Sequence, residues 1–244
     1  MARRHHRRFV RLVDRLEVGS VSEAVAVIVA GRVTVNGLVV TNPEARIGAD
    51  AVVAVVPQRV LRGTVKLQAA LAQFRPRVSG RVCLDVGAAA GGFTAALLDA
   101  GASTVYAVDV GYGQLAGWLR QDDRVVNLER TNLAELSPAL VPEAVEVICL
   151  DLSYLALADA VPQLELVDVS EGARLIALVK PTFELHAPSL IVDGYVIDKA
   201  VAAAAAALQS CGWSVADETV SVTGGGGAME VFIYGIRRPG AGRR

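Results

Sequence analysis

The chain has few residues that could hold a metal ion or cross-link its backbone. Its 244 residues include three cysteines and three histidines, and no C-x-x-C or Cys/His ligand spacing relates them. Neither a disulfide framework nor a metal site is expected, and Cys83, Cys149 and Cys211 are predicted to be buried free thiols. Unpaired thiols are typical of a reducing compartment, so we expect a cytoplasmic protein.

Long apolar runs are also missing. The longest uncharged run, residues 200–216, includes Gln209, Ser210 and Gly212. It falls short of the ~18–20 apolar residues that a membrane span requires, so we predict an alanine-rich helix packed on a sheet. A secretory signal has a hydrophobic stretch after its basic start, and the basic N-terminal string MARRHHRRF is not followed by one. We therefore expect no membrane partner.

Lysine is scarce, and the charges are unevenly distributed. Only Lys66, Lys180 and Lys199 are lysines among the 24 cationic residues. Residues 1–75 hold 12 Lys+Arg against 5 Asp+Glu, a net charge of +7, whereas residues 76–244 hold 12 against 20, a net charge of −8. A basic part joined to an acidic part predicts nucleic-acid binding by the first. The alternative is an arginine-rich tail that binds any polyanion weakly.

The most informative segment is RVCLDVGAAAGGFTAALLDAGASTVYAVDVG, residues 81–111. It predicts a strand ending at Asp85, a glycine turn from Gly87 to Gly92, a helix beginning at Phe93 and a second strand ending at Asp109. Such a βαβ unit offers bare backbone at the crevice and a carboxylate where a ribose would lie. It is a half-site for an adenosine-containing cofactor.

The glycine spacing and Asp85 narrow the choice of cofactor. The spacing is G-x-x-x-G-G, so Ala89 stands where the dinucleotide fingerprint G-x-G-x-x-G has its second glycine. A carboxylate at Asp85 suits a cation better than a pyrophosphate, and S-adenosylmethionine carries both an ammonium and a sulfonium. We therefore predict S-adenosylmethionine, with Asp109 accepting hydrogen bonds from the ribose hydroxyls. The alternative is a doubly wound domain with a glycine-rich turn and no ligand.

Residues 1–56 predict a small α+β domain preceded by a basic arm. Ser20 and Glu23 have the spacing of a capping box before an apolar run. Asn36-Gly37 predicts the type I′ turn of a hairpin, and a third short strand is expected over 51–56.

This layout, with the string AGRVTVNG, resembles the ribosomal S4-type RNA-binding domain over about residues 7–56. The resemblance implies a leading, arginine-dense helix. It also implies contacts to RNA phosphates, which position a domain without reading sequence, by Arg7, Arg8, Arg11, Arg15, Arg32 and Arg62.

The rest of the chain alternates strands and helices. Residues 57–76 are interpreted as a linker and a lead-in helix, and residues 77–244 as a second domain. Strands are expected to end near residues 87, 110, 131, 152 and 180, followed by a helix over 196–211 and strands over 214–222 and 229–236. This pattern predicts an α/β fold with a mostly parallel, seven-stranded sheet and helices on both faces. That is the layout of Rossmann-like class I methyltransferases.

Three further residues are predicted at the same edge of the crevice. Asp151 ends the fourth strand in CLDLSY, Lys180 ends the fifth in LVKPTFE, and Glu230 opens the last strand. Together with Lys66 they resemble the Lys–Asp–Lys–Glu tetrad of the FtsJ-like ribose 2′-O-methyltransferases. The strings DVGAAAGGFT, AVDVGYGQL and ERTN, with the domain order, resemble more narrowly a divergent member of the TlyA family over nearly the whole chain.

The resemblance implies methyl transfer to ribose 2′-hydroxyls of ribosomal RNA, with that RNA or ribosomal subunits as partners. Lys180 would be the base, Lys66 would ease its loss of a proton and steer the ribose, and Asp151 and Glu230 would hold the lysines. Lysine fits a base where arginine does not, because arginine stays protonated at any working pH. The implied cofactor-binding residues are Asp85, Gly87, Ala88, Gly91, Gly92, Phe93, Asp109, Val110, Thr131, Asn132 and Asp151.

Two other functions remain open from the sequence. Asp193 stands where the family has a cation, and with the acidic second part it favours a small-molecule methyl acceptor. A non-catalytic RNA-binding or assembly factor is the other alternative. Each member of the tetrad taken singly could also be a surface residue, with Glu230 paired to Arg237 or Arg238.

Overall fold

The structure is a computed structural model, and it describes residues 8–56, 60–186, 193–221 and 229–240. The chain forms two compact units, Met1–Arg59 and Val60–Arg244.

The first unit combines one helix with two small antiparallel sheets. Its elements are β1 (Phe9–Arg11), a 3₁₀ turn (Leu12–Arg15), α1 (Val21–Val29), β2 (Val33–Val35), β3 (Leu38–Val39), β4 (Arg46–Gly48) and β5 (Val53–Val55). Strand β1 pairs with β4, and β2 lies between β3 and β5. Ser20 Oγ accepts the Glu23 N–H at 3.1 Å, and Asn36 and Gly37 both have positive φ. The predicted helix start and hairpin turn are therefore confirmed.

The expected leading helix is wrong for residues 8–20, where the chain forms β1 and a 3₁₀ turn instead. The Leu12 N–H donates to the Ala45 carbonyl at 2.9 Å, and the Val13 N–H to the Pro43 carbonyl at 3.1 Å. A helix would bond these N–H groups to its own preceding turn. Pairing with residues 43–48 satisfies them across the unit, and it buries Leu12 and Val13 in the core.

The second unit contains a seven-stranded sheet. Its strands are β6 (Val82–Val86), β7 (Thr104–Asp109), β8 (Val125–Glu129), β9 (Val145–Leu150), β10 (Val169–Val179), β11 (Trp213–Val220) and β12 (Val231–Arg237). The spatial order is β11-β12-β10-β9-β6-β7-β8. The five strands from β10 to β8 are parallel, and β12 runs antiparallel to both of its neighbours. The carboxyl ends of the parallel strands therefore share one edge with the start of β12.

Helices cover both faces of this sheet. They are α2 (Arg62–Phe74), α3 (Gly92–Asp99), α4 (Gly117–Arg120), α5 (Leu157–Ala160), α6 (Pro181–Glu184) and α7 (Gly194–Ser210). One core includes Leu67 of α2 and Leu97 of α3; the other includes Leu157 of α5 and Leu208 of α7. Side chains of β6 alternate between the two cores, as the pleat requires. The predicted class I methyltransferase fold is confirmed, and α2 packs within the second unit.

Candidate active site

The glycine turn after β6 brings bare backbone to the edge of the sheet. Gly87 and Gly91 have φ of 87° and 91°, values that side chains rarely permit. A Cβ on Gly87 would lie 2.5 Å from the Asp151 carbonyl oxygen. The turn therefore sits directly against the residue that follows β9, and the first glycine is required for that approach.

Asp109, at the end of β7, holds two loops together. Its Oδ2 accepts the Ala89 N–H at 2.8 Å, and its Oδ1 accepts the Gly111 N–H at 2.6 Å. Ala89 has a φ of 46°, a left-handed conformation uncommon for alanine. Each carboxylate oxygen has further acceptor capacity beyond its one backbone donor, which is the geometry expected of a ribose-binding acid.

Asp85 lies beneath the turn and has no exposed surface. The Thr94 hydroxyl donates to its Oδ2 at 2.6 Å, whereas Oδ1 has no hydrogen-bond partner among the described residues. Burial, with smaller effects from the Asp151 and Asp109 carboxylates, raises the pKa of Asp85 to about 7. Three carboxylates thus flank the loop, and this charge favours a cationic ligand.

Asp85→Asn tests the cost of that buried charge. A pKa raised on folding gives stability that is present below the unfolded-state value near 4 and is lost as pH rises through about 7. Between pH 5 and pH 8 we expect the unfolding free energy of the wild type to fall by about 2–4 kcal/mol relative to that of Asp85→Asn. Urea unfolding of both proteins at the two pH values measures this difference. If the two proteins differ in unfolding free energy by the same amount at both pH values, Asp85 does not ionise in this range.

The predicted tetrad forms two ion pairs. Lys66 Nζ lies 2.6 Å from Glu230 Oε2, and both side chains are about nine-tenths buried. Lys180 Nζ lies 2.5 Å from Asp151 Oδ1 and donates to Ser153 Oγ at 2.8 Å. Because Val179 of β10 is in register with Val231 of β12, Lys180 and Glu230 extend from neighbouring strands at one edge. Glu230 therefore pairs with Lys66 and not with an arginine of β12.

A close approach of two glycines fixes the helix that carries Lys66. A Cβ on Gly92, the first residue of α3, would lie 2.7 Å from Gly63 Cα in α2. The Thr64 hydroxyl donates to the Gly92 carbonyl at 3.0 Å. The end of the glycine turn and the helix that carries Lys66 are thereby held at a fixed distance from each other. The sequence alone does not reveal this partnership, because 28 residues separate Thr64 from Gly92.

Gly92→Ala is expected to disturb this close approach. Alanine is normally the better helix former by about 1 kcal/mol, yet here backbone atoms of Gly63 and Thr64 occupy the space. We expect a loss of about 1–3 kcal/mol in unfolding free energy and a lower kcat, because α2 and Lys66 must shift.

Gly117→Ala is the matched control for that change. Gly117 also begins a helix and lacks positive φ, and no atom lies within 4 Å of the position that a Cβ would take there. Denaturant unfolding and single-turnover methylation should separate the two variants. If both variants unfold and methylate alike, the close approach of Gly63 and Gly92 does not fix the position of α2.

Glu129, at the end of β8, anchors the loop that follows Asp109. Its Oε1 accepts the backbone N–H groups of Gln114 and Leu115 at 2.9 and 3.2 Å, and Arg120 Nη2 binds both of its oxygens. Desolvation acts to raise the pKa of Glu129, but backbone donors of the loop and the Asn127 side chain outweigh it and lower the pKa to about 2. Glu129 is not among the residues predicted from the sequence, because a strand-end acid shows its backbone partners only once the loop is folded over it.

The remaining predicted cofactor residues are spread along the same edge. The Thr131 N–H donates to the Asp109 carbonyl at 3.0 Å, and the Asn132 side chain caps a 3₁₀ turn by accepting the Ala134 N–H. Phe93 is buried against Phe232, with ring centroids 5.9 Å apart. The others differ in exposure: Ala88 is buried, and Val110 is half exposed.

The predicted RNA-binding arginines are in diverse environments. Arg7 lies outside the described residues. Arg11 forms an ion pair with Asp14. Arg15 and Arg32 donate to backbone carbonyls at 3.4 and 3.3 Å, respectively, and Arg8 is exposed. Arg62 belongs to α2 of the second unit.

Asp193 has a local structural role. Its Oδ1 accepts the Val196 N–H at 2.9 Å and so caps α7. The acid that favoured a small-molecule acceptor is explained by this cap.

No helix within the described ranges is long and apolar enough to cross a membrane. In the same ranges, no group of three or more His, Cys, Asp and Glu residues could hold a metal ion.

Comparison with known proteins agrees with this architecture. Residues 59–238 match the FtsJ-like methyltransferase family, and residues 7–53 match the S4 domain. The chain is 40% identical over 233 residues to the 16S/23S rRNA (cytidine-2'-O)-methyltransferase TlyA of Mycobacterium tuberculosis, covering 91% of this chain and 87% of that protein.

Solved structures show the same fold. A structure from Streptococcus thermophilus has a TM-score of 0.70 at 29% identity and covers 96% of this chain and 90% of that one. An S-adenosylmethionine dependent methyltransferase from Mesorhizobium loti, at 18% identity, has a TM-score of 0.51 over 69% of this chain and 96% of that chain.

Proposed function

Because the chain belongs to the FtsJ-like methyltransferases, and within them to the TlyA family, we propose that it methylates ribose 2′-hydroxyls of ribosomal RNA using S-adenosylmethionine. The observation that carries this proposal is the pair of ion pairs, Lys66–Glu230 and Lys180–Asp151, at the edge where the cofactor loop ends. Ribosomal RNA or a ribosomal subunit would be the partner, and the cytoplasm the location.

The residues around the loop suit S-adenosylmethionine, which when bound supplies a methyl group on a positively charged sulfur. Asp109 would hold the ribose hydroxyls, since both of its oxygens are fixed by backbone donors. The buried Oδ1 of Asp85 and the half-buried carboxylate of Asp151 would favour the cationic end of the cofactor. The positive φ of Gly87 and Gly91 would shape the turn that faces it.

The lysines would prepare the acceptor. A ribose hydroxyl is a weak nucleophile at neutral pH, so transfer gains from in-line placement and from a base. Lys180, oriented by Asp151 and Ser153, would take the hydroxyl proton. Lys66, held by Glu230 on the helix that packs closely against Gly92, would position the ribose.

The decisive experiment is methyl transfer from labelled S-adenosylmethionine to bacterial ribosomes, isolated subunits and naked ribosomal RNA. We expect label in at least one of them, at a ribose that then resists alkaline cleavage. Binding of the cofactor without label in any acceptor would overturn the proposed function.

A further inference from the structure

The two-stranded β1–β4 ribbon of the first unit places two arginines opposite each other. Arg11 of β1 is in register with Arg46 of β4. Like charges directly opposite on an antiparallel pair destabilise it unless something compensates them. A counter-charge, either within the protein or on a bound anion, would therefore stabilise the ribbon.

Among the described residues, acidic side chains neutralise only one of these two arginines. Asp14 Oδ2 and Oδ1 accept Arg11 Nε and Nη2 at 2.9 Å each, and Glu44 lies 3.3 Å from Arg11 Nη1. The Arg46 side chain is exposed and makes no hydrogen bond or ion pair with any described residue. One guanidinium of the ribbon is left uncompensated, and Arg46 is not among the arginines predicted from the sequence to bind RNA.

An exposed aromatic ring lies beside this cation. Phe9, at the start of β1, is 50% exposed. One open cleft is lined by Phe9, Arg11, Asp14, Arg15, Glu44 and Arg46. A flat apolar ring next to a free guanidinium suits a nucleotide, whose base stacks on the ring while its phosphate meets the cation.

We propose that this cleft is a subsite for one nucleotide of single-stranded RNA, with Arg46 on the phosphate and Phe9 against the base. Arg15 contributes a second cation, since one weak bond of 3.4 Å to the Ala51 carbonyl leaves most of its donors free. Arg11 instead positions the ribbon through Asp14 and Glu44. The inference rests on the proposed function, because it supplies part of the RNA contact.

The test compares Arg46→Ala with Arg77→Ala in the full chain, using fluorescence anisotropy with a labelled single-stranded RNA of about ten nucleotides. We expect Arg46→Ala to weaken binding about ten-fold and to reduce the slope of log K against log salt by about 0.7, the value for one phosphate interaction on a single strand. Arg77→Ala removes the same formal charge from an exposed position before β6, outside the cleft, and should change the slope little.

Phe9 variants test the stacking. Phe9→Ala should weaken binding about ten-fold with an unchanged salt slope, whereas Phe9→Trp should retain binding, its added fluorescence being quenched by the RNA. Phe9 and Arg46 are both exposed, so thermal melts of their variants should match the wild type.

The outcomes separate the inference from the proposed function. If the wild type methylates ribosomal RNA while Arg46→Ala and Arg77→Ala bind the short RNA equally, the subsite is overturned and the activity stands. Loss of binding to whole subunits alone, with RNA binding intact, would assign the cleft to a protein partner and also overturn it. Absence of methyl transfer with the subsite behaving as expected would overturn only the proposed function.

Discussion

Replacing Lys180 with alanine is expected to lower kcat by about 10²- to 10⁴-fold, the contribution of a positioned base, while leaving cofactor affinity unchanged. Lys180 directly follows β10, and its Nζ contacts both Asp151 and Ser153, so its position is set by two partners. The loss arises because alanine has no group that can take the hydroxyl proton. Single-turnover methylation of ribosomal RNA measures it.

Lys180→Arg distinguishes a base from a fixed charge. Arginine can keep the ion pair with Asp151 but cannot give up its proton at working pH. We therefore expect Lys180→Arg to be as inactive as Lys180→Ala. Lys199→Ala, which removes an exposed lysine on α7, is the control and should remain fully active. Substantial activity in Lys180→Arg would contradict the base role.

Asp109→Ala is expected to weaken S-adenosylmethionine binding by about 100-fold or more, the effect of removing two hydrogen bonds to a charged acceptor. The change also removes the acceptor of the Ala89 and Gly111 N–H groups, so both loops lose their shared anchor. We expect faster amide hydrogen exchange over 88–92 and 110–115. Isothermal titration with the cofactor measures the affinity.

The control for Asp109→Ala is Asp122→Ala. Asp122 is a loop acid before β8, at the opposite edge of the sheet, and its pKa is lowered by Arg124, its partner two residues along the chain. Its removal should leave cofactor affinity unchanged. Full cofactor binding by Asp109→Ala would show that the ribose is held elsewhere.

The sequence predicted the βαβ unit well because its signals are local. Glycines mark the turn, and Asp85 and Asp109 follow runs of strand-forming residues, so backbone chemistry and topology place both acids at one edge. The strand-end positions of Asp151, Lys180 and Glu230 predict the same edge for them, whereas Lys66 joins them only through the resemblance to the FtsJ-like tetrad. How the four residues pair could not be predicted, because the partner of Lys66 depends on where β12 enters the sheet and on how α2 packs.

Other features depend on tertiary structure from the outset. Strand β1 forms because residues 43–48 offer it hydrogen bonds, which no periodicity within residues 8–15 reveals. The role of Glu129 depends on a loop folding back onto it. Such interactions are decided by atoms distant in the chain, and propensity alone does not contain them.

The insertion of β12 between β10 and β11 has a consequence for how the protein is made. Lys66 and Glu230 are separated by 164 positions, so at about 5–20 residues per second the ribosome delivers the glutamate roughly 10–30 s after the lysine. Until then Lys66 lacks the carboxylate that neutralises it when it is buried. Strands β10 and β11 also lack β12, which pairs with both of them. The Lys66–Glu230 pair is therefore among the last contacts of the second unit that the nascent chain can form.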